Sequence, residues 1–428
     1  MRLKSEIMSI PLYLKRFQVR INDINASLLI VLGFVLPLSV ALGSIVGIAI
    51  AVLWAIKGSY REDWQQLKGN PLVLAVLCFL CLHVVGMLWT EDLASGVEVI
   101  LKESLLLLIP VYMLFAKKAY ERYYAYSFLA GMICLVVYSF AIWFQLAPSD
   151  VTANVYDPAP IMGRISYGVY LTMAIYLLIY FVLFDRSIVK MHKILYSFLA
   201  IIFTIDMFLV KGRAGQVMFF FMVAIVIFQF YRGRAFKAGI VSLAVVSLAV
   251  TVLYNANEGF HERLSSAVLG VQNYSVDKNS SSAKRMAMTA NSLEIFKKNP
   301  IVGVGTGDFS VEYAKVNARN TPELQPTNHP HNMYALEAVQ FGILGIMSLL
   351  SILYAQVWQA RKTDDQFQKN LGMVIPLLFA VIMLSDSYLR GHFTTMLFVY
   401  FSSLAYTVFS IQSQGDSGCS QATKKVMR

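Results

Sequence analysis

Apolar residues in this chain fall in long uninterrupted runs, not in the alternation of a strand or the one-sided stripe of a soluble helix. Runs of roughly 17 to 25 residues, long enough at about 1.5 Å per residue to cross a ~30 Å hydrocarbon layer, lie at 71–89, 104–116 with its flank, 123–145, 165–184, 194–210, 214–231, 238–254, 332–358, 371–389 and 393–411. The run 27–56 is too long for one crossing, and Pro37 and Gly43 predict its division into two short helices with a tight turn between them. The predicted fold is an all-α integral membrane protein of about twelve transmembrane helices. Nine of these are expected in 1–254, followed by one large extracytoplasmic segment at 255–331, three more helices in 332–411 and a cytoplasmic tail at 412–428.

The composition agrees: 57% of residues are hydrophobic, 14% are charged and the mean hydropathy is +0.60, more apolar surface than a water-soluble core can enclose. Residues 1–25 carry Arg2, Lys4, Lys15, Arg16 and Arg20 without a small-residue cleavage site, so the first apolar run is expected to act as an uncleaved anchor with a cytoplasmic amino terminus. Cys78, Cys81, Cys134 and Cys419 form no disulfide framework, and Cys78 and Cys81, one helical turn apart in a span, are expected to serve ordinary packing.

A net charge of +11 would suit nucleic acid, but its distribution excludes that partner and points to membrane lipids. With twelve crossings the basic loops all fall on one face: Lys57/Arg61/Lys68, Lys117/Lys118/Arg122, Arg186/Lys190/Lys193, Arg232/Arg234/Lys237, Arg361/Lys362/Lys369 and the tail with Lys424, Lys425 and Arg428. That face is expected to be cytoplasmic. The opposite face receives the acidic loop with Glu91, Asp92, Glu98 and Glu103, the Asp150/Asp157 loop and the long segment.

A smaller cationic set remains on the face where topology does not favour it. Arg164, Lys211, Arg213, Arg263, Arg285 and Arg390 stand out, alongside Lys102, Lys278, Lys284, Lys297, Lys298, Lys315 and Arg319. Guanidinium groups at a membrane edge suit bidentate binding of phosphate oxygens, and snorkelling to lipid headgroups is the bland alternative. Three carboxylates, Asp206, Glu337 and Asp386, lie near the same ends of their spans and are expected to orient these cations, Asp206 by Lys211 and Asp386 by Arg390. Their distance from mid-bilayer argues against a proton-coupled transporter.

Within the long segment, residues 283–298 place Met286, Ala290, Leu293 and Phe296 on one face of a helix expected to lie along the membrane surface, stopped by Asn299-Pro300. Gly303-Val-Gly-Thr-Gly307 reads as a tight loop with a weak signal for phosphate contact, since no strand precedes it to make a dinucleotide fingerprint. His329-Pro330-His331-Asn332 follows where the chain re-enters the membrane. A histidine there, with cations nearby to disfavour its charged form, can act as a general base near neutral pH. Zinc held by His329, His331 and His392 is conceivable, but the spacing fits no ligand motif, so neither a metal nor a cofactor is expected.

At these residues the sequence resembles the O-antigen ligase family, whose relatives include O-antigen polymerases and protein O-oligosaccharyltransferases. His331-Asn332, nine residues, Gly342, two residues and Gly345 is similar to the ligase pattern, supported by Asn299-Pro-Ile-Val-Gly-Val-Gly-Thr-Gly-Asp-Phe309 and by Arg213 at the start of its span. The resemblance implies a GT-C-like, membrane-embedded glycosyltransferase of the bacterial inner membrane whose active site faces the periplasm. It implies transfer of a glycan from undecaprenyl diphosphate to a sugar hydroxyl of the lipid A core, in lipopolysaccharide biosynthesis, without metal and with inversion. His331 would be the base, the outer cations would bind diphosphate, and Asn332, Glu337, Asp206, Asp386 and Gly342 would support them. An O-antigen polymerase shares the donor chemistry. A lipid-linked glycan flippase would also want cations but has no need of a one-sided loop ending in His-Asn.

Overall fold

The computed structural model describes residues 2–148, 153–272 and 280–407, with side chains from residue 14 onward except at Val271. Asp150, Lys278, Cys419 and the tail 412–428, with Lys424, Lys425 and Arg428, lie outside the described residues. Among the described residues the fold is helical throughout, with one isolated bridge between Asn154 and Asp157.

The chain begins with α1 (Arg2–Val35) and α2 (Val40–Lys57), divided at Pro37 as predicted; Ser39 Oγ accepts from Leu42 N at 3.3 Å to cap α2. Gly43 is not a break but a buried residue inside α2. Neither helix is short, because α1 continues upstream of the apolar run and gives an apolar span from Leu14 to Val35. Next, α3 (Tyr60–Leu67) meets α4 (Pro71–Gly86) at a bend of 106°. Asn70 Oδ1 caps α4 through Leu72 N at 3.0 Å, and Pro71 takes the first turn, where its missing N–H costs nothing.

Two short helices follow, α5 (Leu93–Glu103) and α6 (Leu108–Phe115), joined by a 3₁₀ turn over Ser104–Leu107. The turn and α6 together rise only about 20 Å, short of a full crossing. The central helices α7 (Glu121–Trp143), α8 (Gly163–Leu183), α9 (Lys190–Leu209), α10 (Arg213–Phe230) and α11 (Ala235–Ala256) fall within a few residues of the predicted runs. The long segment contains α12 (Glu258–Gln272), α13 (Ser281–Lys298) and α14 (Phe309–Asn320), of which the apolar pattern predicts α13 alone. The chain then returns through α15 (Met333–Lys362), α16 (Gln366–Ile382) and α17 (His392–Tyr406).

Among the described residues eight helices can cross a membrane by length and apolarity, nine if the bent α3–α4 pair counts as one span, and α16 is a shorter apolar helix. The remaining expected crossings, at 104–116, 371–389 and 393–411, are carried by helices shorter than a standard span. α8 and α17 are buried on nearly all sides and form the centre. α2, α9 and α11 turn large apolar side chains outward, among them Ile45, Ile48, Phe198, Ile201, Leu243 and Leu248. Apolar surface of that extent has lipid as its natural solvent. Cys78, Cys81 and Cys134 also face outward as free thiols.

α13 forms as expected, and the face it turns toward the protein is not the apolar one. Ala283, Ala287, Asn291 and Ile295 are buried, while Met286, Ala290 and Leu293 are exposed. The cause is local: Asn291 Nδ2 donates to Thr321 Oγ1 at 2.9 Å and Ala283 and Ala287 permit close approach, so α13 packs against α14 and α15 through small and polar residues.

Candidate functional site

The glycines of the long segment and of α15 form one clasp. At Gly342 the helix kinks, with φ 62° and ψ −143°, and a Cβ there would lie 2.5 Å from the backbone of Ile301. Val304 N donates to Val339 O and Gly305 N to Gln340 O, each at 3.0 Å, and Ile343 N donates to Pro300 O at 2.8 Å. Gly303 N donates to Asn299 O at 3.2 Å and Thr306 N to Thr90 Oγ1 at 2.8 Å. The amides from Gly303 to Thr306 are thus taken up by the protein itself. The Gly303–Gly307 loop therefore offers no nest for a phosphate over those residues, contrary to the sequence signal; its glycines serve close backbone crossing.

The clasp delivers His331 to the rim of a cavity of about 460 Å³, lined by His329, His331, Gln340, Thr306, Asp386, Tyr388 and Arg390 together with Lys102. Asn332 Oδ1 accepts from Ala335 N at 3.0 Å, so this residue caps α15 and fixes where the helix begins. His331 has φ 50°, a left-handed conformation imposed between Pro330 and that cap. Its Nδ1 lies 3.3 Å from Asp386 Oδ1, the Nδ1 of His329 lies 3.7 Å from the same oxygen, and the two rings meet edge to face at 4.2 Å. Burial pushes the Asp386 carboxyl up, but contact with His331, the Ser387 amide and the positive character of both histidines outweigh it and hold it below the usual range. Burial, then His331, lowers His329 against the opposing pull of Asp386. His329, His331 and Asp386 present ligand atoms within 4.8 Å of one another and could hold a metal ion; His83, Glu103 and Glu337 form a second such set. His392 belongs to neither, its Nε2 lying 3.4 Å from Ser44 Oγ.

Asp386 therefore faces the histidines and not Arg390. Glu337 is likewise paired with a histidine: His83 Nε2 lies 3.7 Å from Glu337 Oε2 and 2.7 Å from Glu103 Oε2, with all three side chains fully buried. Arg390 Nε approaches Glu103 Oε1 at 3.6 Å. Asp206 takes hydrogen bonds from Ser139 Oγ, at 2.6 Å, and from Tyr167 OH, and does not orient Lys211 directly. Ser139 Oγ is also 2.6 Å from Pro158 O, so Asp206 anchors the loop that carries Asp157.

Around Asp157 the remaining predicted cations assemble. Arg164 Nη1 is 3.1 Å from Asp157 Oδ2, Lys211 donates its amide to Asp157 Oδ1 at 2.9 Å, and the Lys211 ammonium stands 5.8 Å from the Tyr156 ring centre. Arg213 reaches Ser266 Oγ at 3.0 Å and Ser282 Oγ at 3.4 Å, and so ties α10 to α12 and α13. Arg263 is held below its ordinary value by burial, countered by Asp157 and reinforced by Arg213; its Nε and one Nη are buried without a hydrogen-bond partner. Arg285 lies within electrostatic reach of both Arg213 and Tyr388, and so links this group to the cavity. His83 and Glu103 are site residues that the sequence reading misses, although an ionisable residue inside the run 71–89 is a usable signal.

A bundle with apolar side chains facing outward and a polar pocket lined by residues of the 258–331 segment defines a multi-pass membrane protein. Residues 198–350 match the family model described as O-antigen ligase, which supports an O-antigen ligase-family protein and bears out the resemblance carried by His331, Gly342 and Gly345. Members of that family are membrane glycosyltransferase-like ligases and polymerases acting on lipid-linked glycans. The matched stretch includes Arg213, Arg263 and Arg285 and stops before Asp386 and Arg390. No curated protein matches the chain.

Proposed function

We propose that the protein is an O-antigen ligase, which moves a glycan from undecaprenyl diphosphate to a sugar hydroxyl of the lipid A core on the periplasmic side of a bacterial inner membrane. The observation that carries this reading is one pocket lined by both His331 and Arg390, with Arg285 within electrostatic reach of its Tyr388 and of Arg213. With its proton on Nδ1, which lies 3.3 Å from Asp386 Oδ1, His331 has its lone pair on Nε2. That nitrogen takes the acceptor's proton as the hydroxyl oxygen bonds to the anomeric carbon, and the bond from that carbon to the diphosphate breaks with inversion. Diphosphate leaves as an anion and needs cations, not a protonating acid, which suits Arg164, Lys211, Arg213, Arg263, Arg285 and Arg390. Neither step draws on a metal, and transfer is expected to persist in the presence of a chelator.

The reading includes the twelve-crossing topology of a GT-C-like enzyme, with the short helices α6, α16 and α17 completing the count and the 255–331 segment outside. Reporter fusions near residues 64, 190 and 364 are then expected to score cytoplasmic, and those near 155 and 280 extracytoplasmic. A polymerase would use the same donor site with a second lipid-linked glycan as acceptor. A lipopolysaccharide gel of a deletion strain decides: loss of the whole ladder while polymer stays lipid-linked supports the ligase, and core bearing a single repeat identifies a polymerase.

A further inference from the structure

We infer that Glu103, locked in place by His83, is the positioning residue that aims Arg390 into the transfer pocket; this rests on the proposed function. The two ring nitrogens of His83 have different partners. Its Nδ1 lies 2.9 Å from Phe79 O, and a carbonyl only accepts, so Nδ1 carries a hydrogen. Its Nε2 then faces Glu103 Oε2 at 2.7 Å, a separation at which a lone pair and an ionised oxygen repel. A proton shared between the two side chains accounts for that separation. Glu337, whose Oε2 is 3.7 Å from the same nitrogen, adds a second buried carboxylate. The cluster thus holds two acidic groups and one basic one in a region without water access, a balance that favours a further cation at its edge. Arg390, with 14% of its side chain exposed, brings Nε to 3.6 Å of Glu103 Oε1.

Glu103 is thus shared. One oxygen lies 2.7 Å from the buried His83 ring on α4, and the other lies 3.6 Å from Nε, on the inner edge of a guanidinium that lines the pocket. The terminal amino groups of Arg390, which meet no protein acceptor among the described residues, are left for an anion in the pocket. Rigid support of this kind matters because catalysis by oriented charge is lost when the charge is displaced by about 1 Å.

The test is a double-mutant cycle on the full-length protein in detergent, with transfer of labelled lipid-linked glycan as the readout and melting temperature as the folding control. Glu103→Gln keeps the shape and removes the charge; kcat is expected to fall by about 10- to 100-fold with the donor KM unchanged or lower, because Arg390 keeps its charge but loses its aim. In an Arg390→Ala background the same substitution should cost nothing further, since the residue acts only through Arg390. Losses that multiply in the double variant would overturn the inference and make Glu103 a structural residue, as would wild-type kcat in Glu103→Gln. If Glu103→Gln does not accumulate, Glu103→Asp, which keeps the charge and shortens the arm, takes its place in the cycle, and the same outcomes support or overturn the inference. Multiplicative losses against an active wild type leave the proposed function standing, whereas a wild type without transfer activity overturns both.

Discussion

Two polar regions meet at one end of this bundle, and they balance charge in opposite ways. Around His331 and His83 each carboxylate has a histidine: Asp386 faces His329 and His331, while Glu103 and Glu337 face His83. Around Asp157 one carboxylate stands among Arg164, Arg263 and the backbone of Lys211, with Arg213 held by serine hydroxyls. The first region sets its carboxylates close to histidines, while His83 Nε2, both Glu103 oxygens and His331 Nδ1 are buried without a well-aligned hydrogen bond. The second carries a surplus of positive charge and buried guanidinium nitrogens without partners, a state that an arriving anion relieves. Under the proposed function, chemistry that needs one accurately placed nitrogen belongs to the first and capture of a diphosphate to the second.

The sharpest way to break this division is at His331. General-base catalysis contributes about 10² to 10⁴ in rate, so His331→Ala should reduce transfer by that factor while binding of lipid-linked donor survives. Near-normal turnover in the purified variant would remove the base assignment. His329 is no neutral control for this experiment, since it shares the Asp386 oxygen.

A smaller effect is expected at three of the arginines. Replacing Arg213, Arg285 or Arg390 by Lys keeps the charge and removes the planar fork, so each variant should lose roughly tenfold in kcat/KM, about one charge-assisted hydrogen bond. If these residues only snorkel to headgroups, all three variants will transfer at the wild-type rate, and the surplus of charge has another purpose.

The smallest effect concerns pH. His329 has its folded pKa depressed below the ordinary 6.5, so the unfolded chain binds a proton first. The folded state then loses stability as pH falls from about 6.5 through the lower folded value, and the loss is complete below it. Melting curves at pH 7 and pH 5 should show His329→Gln losing less stability than the wild type over that interval. An equal or larger loss in the variant would mean that other groups dominate the first region in acid.

How much of this is legible in the sequence depends on the range of the forces involved. Long apolar runs must be helices wherever lipid is the solvent, so α7 to α11 and α15 can be placed from local pattern. α12 and α14 are short and polar and give no such signal, and the inward face of α13 departs from its apolar pattern because Asn291 packs inside through hydrogen bonds that hydropathy does not register. His331 and the arginines can be singled out by type and position. Their partners cannot: helical spacing pairs Asp386 with Arg390, its neighbour by one turn, whereas the fold sets it against histidines 55 and 57 residues earlier in the chain, as 386 − 331 and 386 − 329 give. Glu103 and His83 acquire meaning only once α4, α5 and α15 are packed together.

The clasp at Gly342 bears on what the spacing of histidine and two glycines encodes. A Cβ at Gly345 would lie 2.3 Å from Glu337 O, and one at Gly342 would strike Ile301, so both positions are vacated for crossing backbones, while only the histidine touches the pocket. The motif is therefore a joint and a tool written side by side. A sequence with the glycines but not the histidine should still fold the joint around an inert pocket, and one with the histidine alone has nowhere to mount it. Hunting for enzymes of this kind by the glycines finds the architecture, and the histidine must be checked separately to find the activity.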